Sequence, residues 1–242
     1  MENLIGKNIL EVIVELSKHN WNHRAFSRKK FNTKIDEFLF VYYEWNKPRS
    51  NEDLYRSLNV NGGLSLNDLE FIEKEKGRGI GLTSQVRIKE LDQATTDIKM
   101  YIPFIDFDVD KYKFDVGGEK NLLEIIKYGI KHSTEIKKGL ILKSSSSENL
   151  HFIGTDMLLS EEDFITFLGL CLTIGYKKSP SQKFVSLADS RYIGHSLTPV
   201  KYLAELNNEA WSKYDNIDRF STLRVNPKNN GGTYPVVIDI LK

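Results

Sequence analysis

The chain has a single cysteine, Cys171, which excludes an internal disulfide framework and a cysteine-rich zinc site. That cysteine sits in the apolar helical run Phe164–Ile174 and reads as a small buried hydrophobe, not a nucleophile. No apolar run approaches the ~18 residues of a membrane-spanning helix, so no membrane partner is expected. The opening residues, Met1-Glu-Asn-Leu4, lack a basic segment followed by an apolar one; no secretion signal is read, and the expected location is the cytoplasm. Neither sign of charge is in excess: 34 Lys and Arg stand against 33 Asp and Glu. Any nucleic-acid contact must therefore come from local patches, because bulk charge gives no steering. There is no internal repeat, and the one low-complexity tract is Ser144–Ser147. What remains, at 40% hydrophobic and 28% charged residues over 242 positions, is the composition of one large globular domain or two small modules sharing a core.

The most informative stretch is Tyr101-Ile-Pro-Phe-Ile-Asp-Phe-Asp-Val-Asp110. Its apolar lead-in, rich in aromatic and β-branched residues, reads as a buried strand. Asp106, Asp108 and Asp110 alternate with Phe107 and Val109, and the strand period of two places the three acids on one face. Aspartate is disfavoured inside strands, and carboxylates this close repel one another. A divalent cation held by oxygen ligands relieves that repulsion. A solvated strand edge is the plainer alternative.

Earlier in the chain, residues 4–18 carry a helical apolar period. The segment 18–30 interleaves Arg24, Arg28, Lys29 and Lys30 with Trp21 and Phe26, which suits either a grip on a phosphate backbone and its bases or a solvated loop. A strand is read over 38–45, and a short helix over 65–75 with Ser65 and Asn67 as candidate caps. Lys76-Gly-Arg-Gly-Ile-Gly81 contains Arg78 but lacks the GxxxxGK[ST] spacing of a phosphate loop, so it reads as a flexible connector, with a loop that lets the backbone approach a ligand or template as the alternative. A strand over 82–91 and a polar link over 92–98 follow.

The second half has a clearer order: strand 101–109, helix 119–131, strand 139–143, strand 149–154, a Ser160-capped helix to 174, and strand 184–188. This βαββαβ order is that of the ferredoxin-like split βαβ unit. Right-handed crossovers place its first strand between the third and the fourth. The aspartate strand then neighbours the strand bearing His151 on one side and the strand ending at Asp189 on the other.

Carboxylates with divalent cations and nearby basic side chains are the apparatus of phosphoryl and nucleotidyl transfer. An all-oxygen site suits Mg²⁺ or Mn²⁺. His151, after the serine run, is placed to donate hydrogen bonds to a triphosphate. Arg191, Arg224 and Lys228 lie downstream; Arg224, between Leu223 and Val225, needs a partner such as Asp189 or a bound phosphate.

These residues resemble the catalytic core of the archaeo-eukaryotic primase superfamily, which includes primase-polymerases. An apolar strand ending hDhD is matched by Phe104-Ile-Asp-Phe-Asp108. A serine turn leading to a histidine is matched by Ser144–His151, although Asn149 stands where the family commonly has serine. An apolar strand ending in aspartate is matched by Leu187-Ala-Asp189, and a later basic segment by Leu223-Arg224 with Lys228. The resemblance implies an α+β fold: an RRM/ferredoxin-like βαββαβ module over 96–242, packed against a smaller N-terminal αβ module over 1–95. It implies that Asp106, Asp108 and Asp189 hold two Mg²⁺ or Mn²⁺ ions, with Asp215 or Asp218 as alternatives for the third carboxylate. Ser147, His151, Arg191, Arg224 and Lys228 would contact an NTP or dNTP. Arg24, Arg28, Lys29, Lys30 and Arg78 would lie against a DNA or RNA template and primer. Unwinding or initiation would fall to a helicase or another replication or defence partner. Two rival readings use the same residues: a metal-dependent nuclease, and a non-catalytic RRM-like nucleic-acid binder.

Overall fold

The computed structural model describes residues 2–23, 31–43, 55–75, 77–89, 97–144, 149–177, 183–198, 222–227 and 233–242. A 3₁₀ turn, Glu2–Leu4, precedes helix α1 (Ile9–Lys18). Asn8 caps α1 by accepting the amides of Leu10 and Glu11, while Glu11 reaches back to the Asn8 amide, a reciprocal capping box. Strands β1 (Trp21–His23), β2 (Phe31–Thr33), β3 (Glu37–Tyr43) and β4 (Tyr55–Asn59) follow, then helix α2 (Glu70–Lys74), β5 (Gly79–Lys89) and β6 (Asp97–Tyr101). Next come β7 (Phe104–Phe107), α3 (Glu119–Ser133), β8 (Gly139–Lys143), β9 (Leu150–Gly154), β10 (Met157–Leu158) and α4 (Glu161–Cys171). The described chain ends with β11 (Gly175–Lys177), β12 (Phe184–Ser186), α5 (Ser190–Leu197), β13 (Thr222–Arg224) and β14 (Val236–Leu241).

The fold is mixed α+β. In a five-stranded antiparallel sheet, β5 pairs with β3, which pairs with β4, while β13 and β6 share the other edge of β5. A second, four-stranded sheet has the order β14-β8-β9-β7. On the open side of β7 lies the segment Leu187–Asp189, bridged at Phe107 and Ala188. Its backbone exchanges two bonds with β7: Asp108 N donates to Leu187 O at 3.0 Å, and Asp189 N donates to Asp106 O at 2.8 Å.

Strand alternation gives the four-stranded sheet two covered faces. Phe104, Leu140, Leu142 and Ile153 join α1 and the five-stranded sheet in one buried cluster with Ile13, Leu16, Phe38 and Val86. Ile105, Phe107, Ile141 and Phe152 face the other way, onto Ile126 of α3 and Phe164 of α4. Residues before and after position 96 thus share a core, and the change of sheet falls at Ile102–Pro103.

Several sequence expectations need correction. The strand expected over 101–109 is two strands, β6 and β7, in different sheets. Proline lacks the amide that would continue a ladder, and the break falls at Pro103. Asp110 consequently leaves the strand and opens a 3₁₀ turn, Asp110–Tyr112, so it does not share a strand face with Asp106. The glycine-rich segment is not a connector: Gly79 and Gly81 lie inside β5, where Gly81 is flanked by Val41 and Arg224 on the two neighbouring strands. Ser65 does not cap a helix; its amide and hydroxyl donate to Asp68. The strand expected over 184–188 is divided, β12 pairing with β11 in a two-stranded ribbon before Leu187–Asp189 reaches β7.

Candidate active site

Asp106 and His151 stand directly opposite each other in the antiparallel pair β7–β9. Each lies two residues from a core side chain, Phe104 and Ile153 respectively, so both project from the sheet face turned toward the five-stranded sheet. His151 Nδ1 is 3.1 Å from Asp106 Oδ1, with the side chains 13% and 24% exposed. The two atoms are close but not aligned as a hydrogen bond, which leaves Asp106 Oδ1 a buried oxygen with no hydrogen-bond partner. Asp108, two residues on and half-buried, is pinned by its own amide to Leu187. Asp189 arrives on the other flank, its amide bonded to the Asp106 carbonyl. Three acids separated by up to 83 residues are therefore held on adjoining backbone by ladder bonds.

Asp189 also caps α5. Its Oδ1 accepts the amides of Arg191 at 2.9 Å and Tyr192 at 3.4 Å, as well as Arg191 Nε at 3.3 Å; Oδ2 accepts Arg191 Nη2 at 3.1 Å. Burial opposes its ionisation, but the hydrogen bonds from the Arg191 side chain and the cap amides outweigh it and hold the carboxyl below the usual range. The Arg191 guanidinium is raised above its usual value by the hydrogen bond and charge of Asp189, with weaker attraction from Asp108 and Asp106.

One contributor escapes the motif reading. Asn149 Oδ1 accepts the amides of Val109 and Asp110 at 3.1 and 3.3 Å, and its carbonyl accepts the Ser144 amide. It ties the turn after the acidic strand to the turn before His151. The position two residues before His151 was visible, but its partners 40 residues upstream were not.

The remaining expected residues are dispersed. Arg224 ends β13, a strand of the five-stranded sheet that packs beside β7. Arg78 is 2.8 Å from Glu75 and lies over the Tyr42 ring, so its charge is matched within the protein. Arg24, Arg28, Lys29, Lys30, Ser147, Lys228, Asp215 and Asp218 lie outside the described residues. Cys171 is fully buried, and burial pushes its thiol far above the usual range, in keeping with an inert core position.

The donor set can be tested against a hard cation. Asp106 in β7 and Asp108 just past its end supply oxygens from one short stretch of chain, and the unbonded buried oxygen of Asp106 is the kind of atom a cation satisfies. Asp189 does not fit as it stands, because both its oxygens are engaged. Among the described residues no group of three or more His, Cys, Asp or Glu side chains is arranged to hold a metal. Two carboxylates are nevertheless what Mg²⁺ commonly takes from a protein when substrate phosphates and water fill its remaining positions. No family model matches the chain, and neither a curated protein nor a solved structure matches it.

Proposed function

We propose that this protein is a metal-dependent nucleotidyltransferase of the primase-polymerase kind, adding nucleoside monophosphates from an NTP or dNTP to a nucleic-acid 3′-hydroxyl. The observation that carries the reading is the placement of Asp106: opposite His151 on one flank and backbone-bonded to Asp189 on the other. The order β8, β9, β7 and then Leu187–Asp189 supports an RRM-like βαββαβ module, since it sets the first strand between the third and the fourth. A base-stacking sheet binder is less well supported, because such binders need exposed aromatics on an open sheet, and here both faces are covered.

In this reading Asp106 and Asp108 hold the cation, Mg²⁺ or Mn²⁺. When bound, it polarises the attacking hydroxyl and neutralises charge developing on the phosphates. His151 donates to the triphosphate from its place opposite Asp106. Arg224 adds positive charge from the facing sheet. The 3′-oxygen forms a bond to the α-phosphorus, the bond from that phosphorus to the bridging oxygen breaks, and pyrophosphate leaves with the electron pair. The hydroxyl proton passes to solvent.

The test is incubation of the protein with Mn²⁺, a 5′-labelled primer on a longer template, and NTPs or dNTPs. The expected product is a lengthened primer, with Asp106→Asn and Asp108→Asn each lowering the rate by about 100-fold or more, the scale on which removal of one charge-stabilising group acts. Shortening of the label would instead identify a nuclease, and an unchanged primer would overturn both catalytic readings.

A further inference from the structure

Asp189 is built to do two things that exclude each other. Strand register fixes its backbone beside Asp106, where a third carboxylate would complete a cation site. Its oxygens, however, are filled by the Arg191 side chain and the first amides of α5. The two partners differ sharply in mobility. Asp189 is 15% exposed and held by the sheet, whereas the Arg191 side chain is 79% exposed. An exposed ion pair is weakly held. A triphosphate offers the same guanidinium two-pronged oxygen acceptors with more charge than one carboxylate.

We propose that Arg191 is a displaceable internal cation: it holds Asp189 while no nucleotide is present, and moves onto the phosphates of an incoming nucleoside triphosphate, releasing Asp189 toward a divalent cation at Asp106 and Asp108. This inference rests on the nucleotidyltransferase reading and adds an order to it. Nucleotide binding and completion of the cation site become coupled, and the coupling is reciprocal. Arg191 is then a positioning residue for Asp189 as well as a contact for the substrate.

Two binding measurements on the full chain test it without any turnover. In the first, Mn²⁺ is titrated in the absence of nucleotide and followed by the electron-spin resonance of the free ion. Arg191→Ala is expected to bind Mn²⁺ about 1.5- to 5-fold tighter than the unmodified protein, the scale of one exposed charge pair. Arg191→Lys should stay near the unmodified value. The gain should vanish in the Arg191→Ala, Asp189→Asn double variant. In the second, a dNTP is titrated calorimetrically with divalent ions chelated, and Arg191→Ala is expected to weaken its binding by a similar factor. The α5 cap survives in Arg191→Ala, since the amides that Asp189 accepts are backbone groups, and an unchanged circular dichroism spectrum checks this. Mn²⁺ affinity unchanged or lowered in Arg191→Ala, or dNTP affinity unchanged, overturns the proposal. Asp106→Asn separates this failure from a wider one: if it too leaves Mn²⁺ binding intact, the cation site itself is wrongly placed, whereas if it abolishes binding while Arg191→Ala does nothing, only the role of Arg191 falls.

Discussion

Asp189 shows how much one side chain can be asked to do. As an N-cap it supplies an oxygen to the otherwise unpaired first amides of α5, and as an anion it holds Arg191. Two substitutions separate these roles. Asp189→Ala removes both and should cost about 1 kcal/mol in urea denaturation at pH 7, the usual loss for a cap. Asp189→Asn keeps a capping oxygen and should lose clearly less. The charge has its own pH signature. Because the folded carboxyl is held below its ordinary value of 3.8, the unfolded chain takes up its proton first as pH falls. Stability from the charge is therefore complete above that ordinary value and disappears as pH drops through the lower folded value. The midpoint difference between the unmodified protein and Asp189→Asn should narrow steadily below about pH 4. A difference that stayed constant to pH 2 would show that the charge contributes nothing.

At the level of elements, close packing of the four-stranded sheet decides what its glycines tolerate. A Cβ on Gly139, at the start of β8, would fall within the van der Waals shell of the Phe152 ring and 2.6 Å from the Ile153 carbonyl. Gly139→Ala should therefore destabilise the protein by about 1–3 kcal/mol, the range for overpacking a filled core. Gly169, inside α4, has nothing within 4 Å of the same added atom, so Gly169→Ala should stabilise by up to about 1 kcal/mol, the helix-propensity gap between the two residues. Thermal or urea unfolding of the pair reads both signs in one experiment. The elements themselves were unevenly legible. Strand 139–143, helix α3 and the Ser160 cap follow from local pattern, and the juxtaposition of Asp106 with His151 follows from strand period and crossover handedness. The Pro103 switch between sheets was not legible, because Ile102 and Phe104 continue the same apolar run on either side of it. Gly79 and Gly81 look like turn residues by composition, and only the two strands packed against β5 make them strand residues. Strand β14, tied to the chain's start by the Asn8–Val236 bridge and to β8 along its length, carries no signal near its partners in sequence.

For the whole molecule, the sheet that carries His151 is tied to the start of the chain, and one of those ties is titratable. His19, just beyond α1, donates from Nε2 to the Thr155 carbonyl at 2.9 Å and stands edge-on to Trp21. Nearby, Asn22 donates to the Asp156 carbonyl, and β1 runs parallel to β10. Together these contacts fasten the start of the chain to the turn after β9, at the far end of the strand that carries His151. Burial pushes the His19 imidazole below its usual 6.5; the Thr155 carbonyl pulls the other way, and the net shift remains downward. The unfolded chain therefore binds this proton at a higher pH than the folded one does. Stability attributable to His19 is complete above 6.5 and is lost as pH falls below it, until the folded imidazole also takes up its proton. The unmodified protein should lose more stability between pH 7.5 and 5.5 than His19→Gln, whose amide still offers Thr155 a donor but does not titrate. Every other histidine is common to both proteins, so the difference between their two slopes isolates position 19. Equal slopes in urea unfolding at the two pH values would mean that this tie holds without help from a neutral imidazole, and the anchoring of the chain's start would have to be sought in the buried cluster alone.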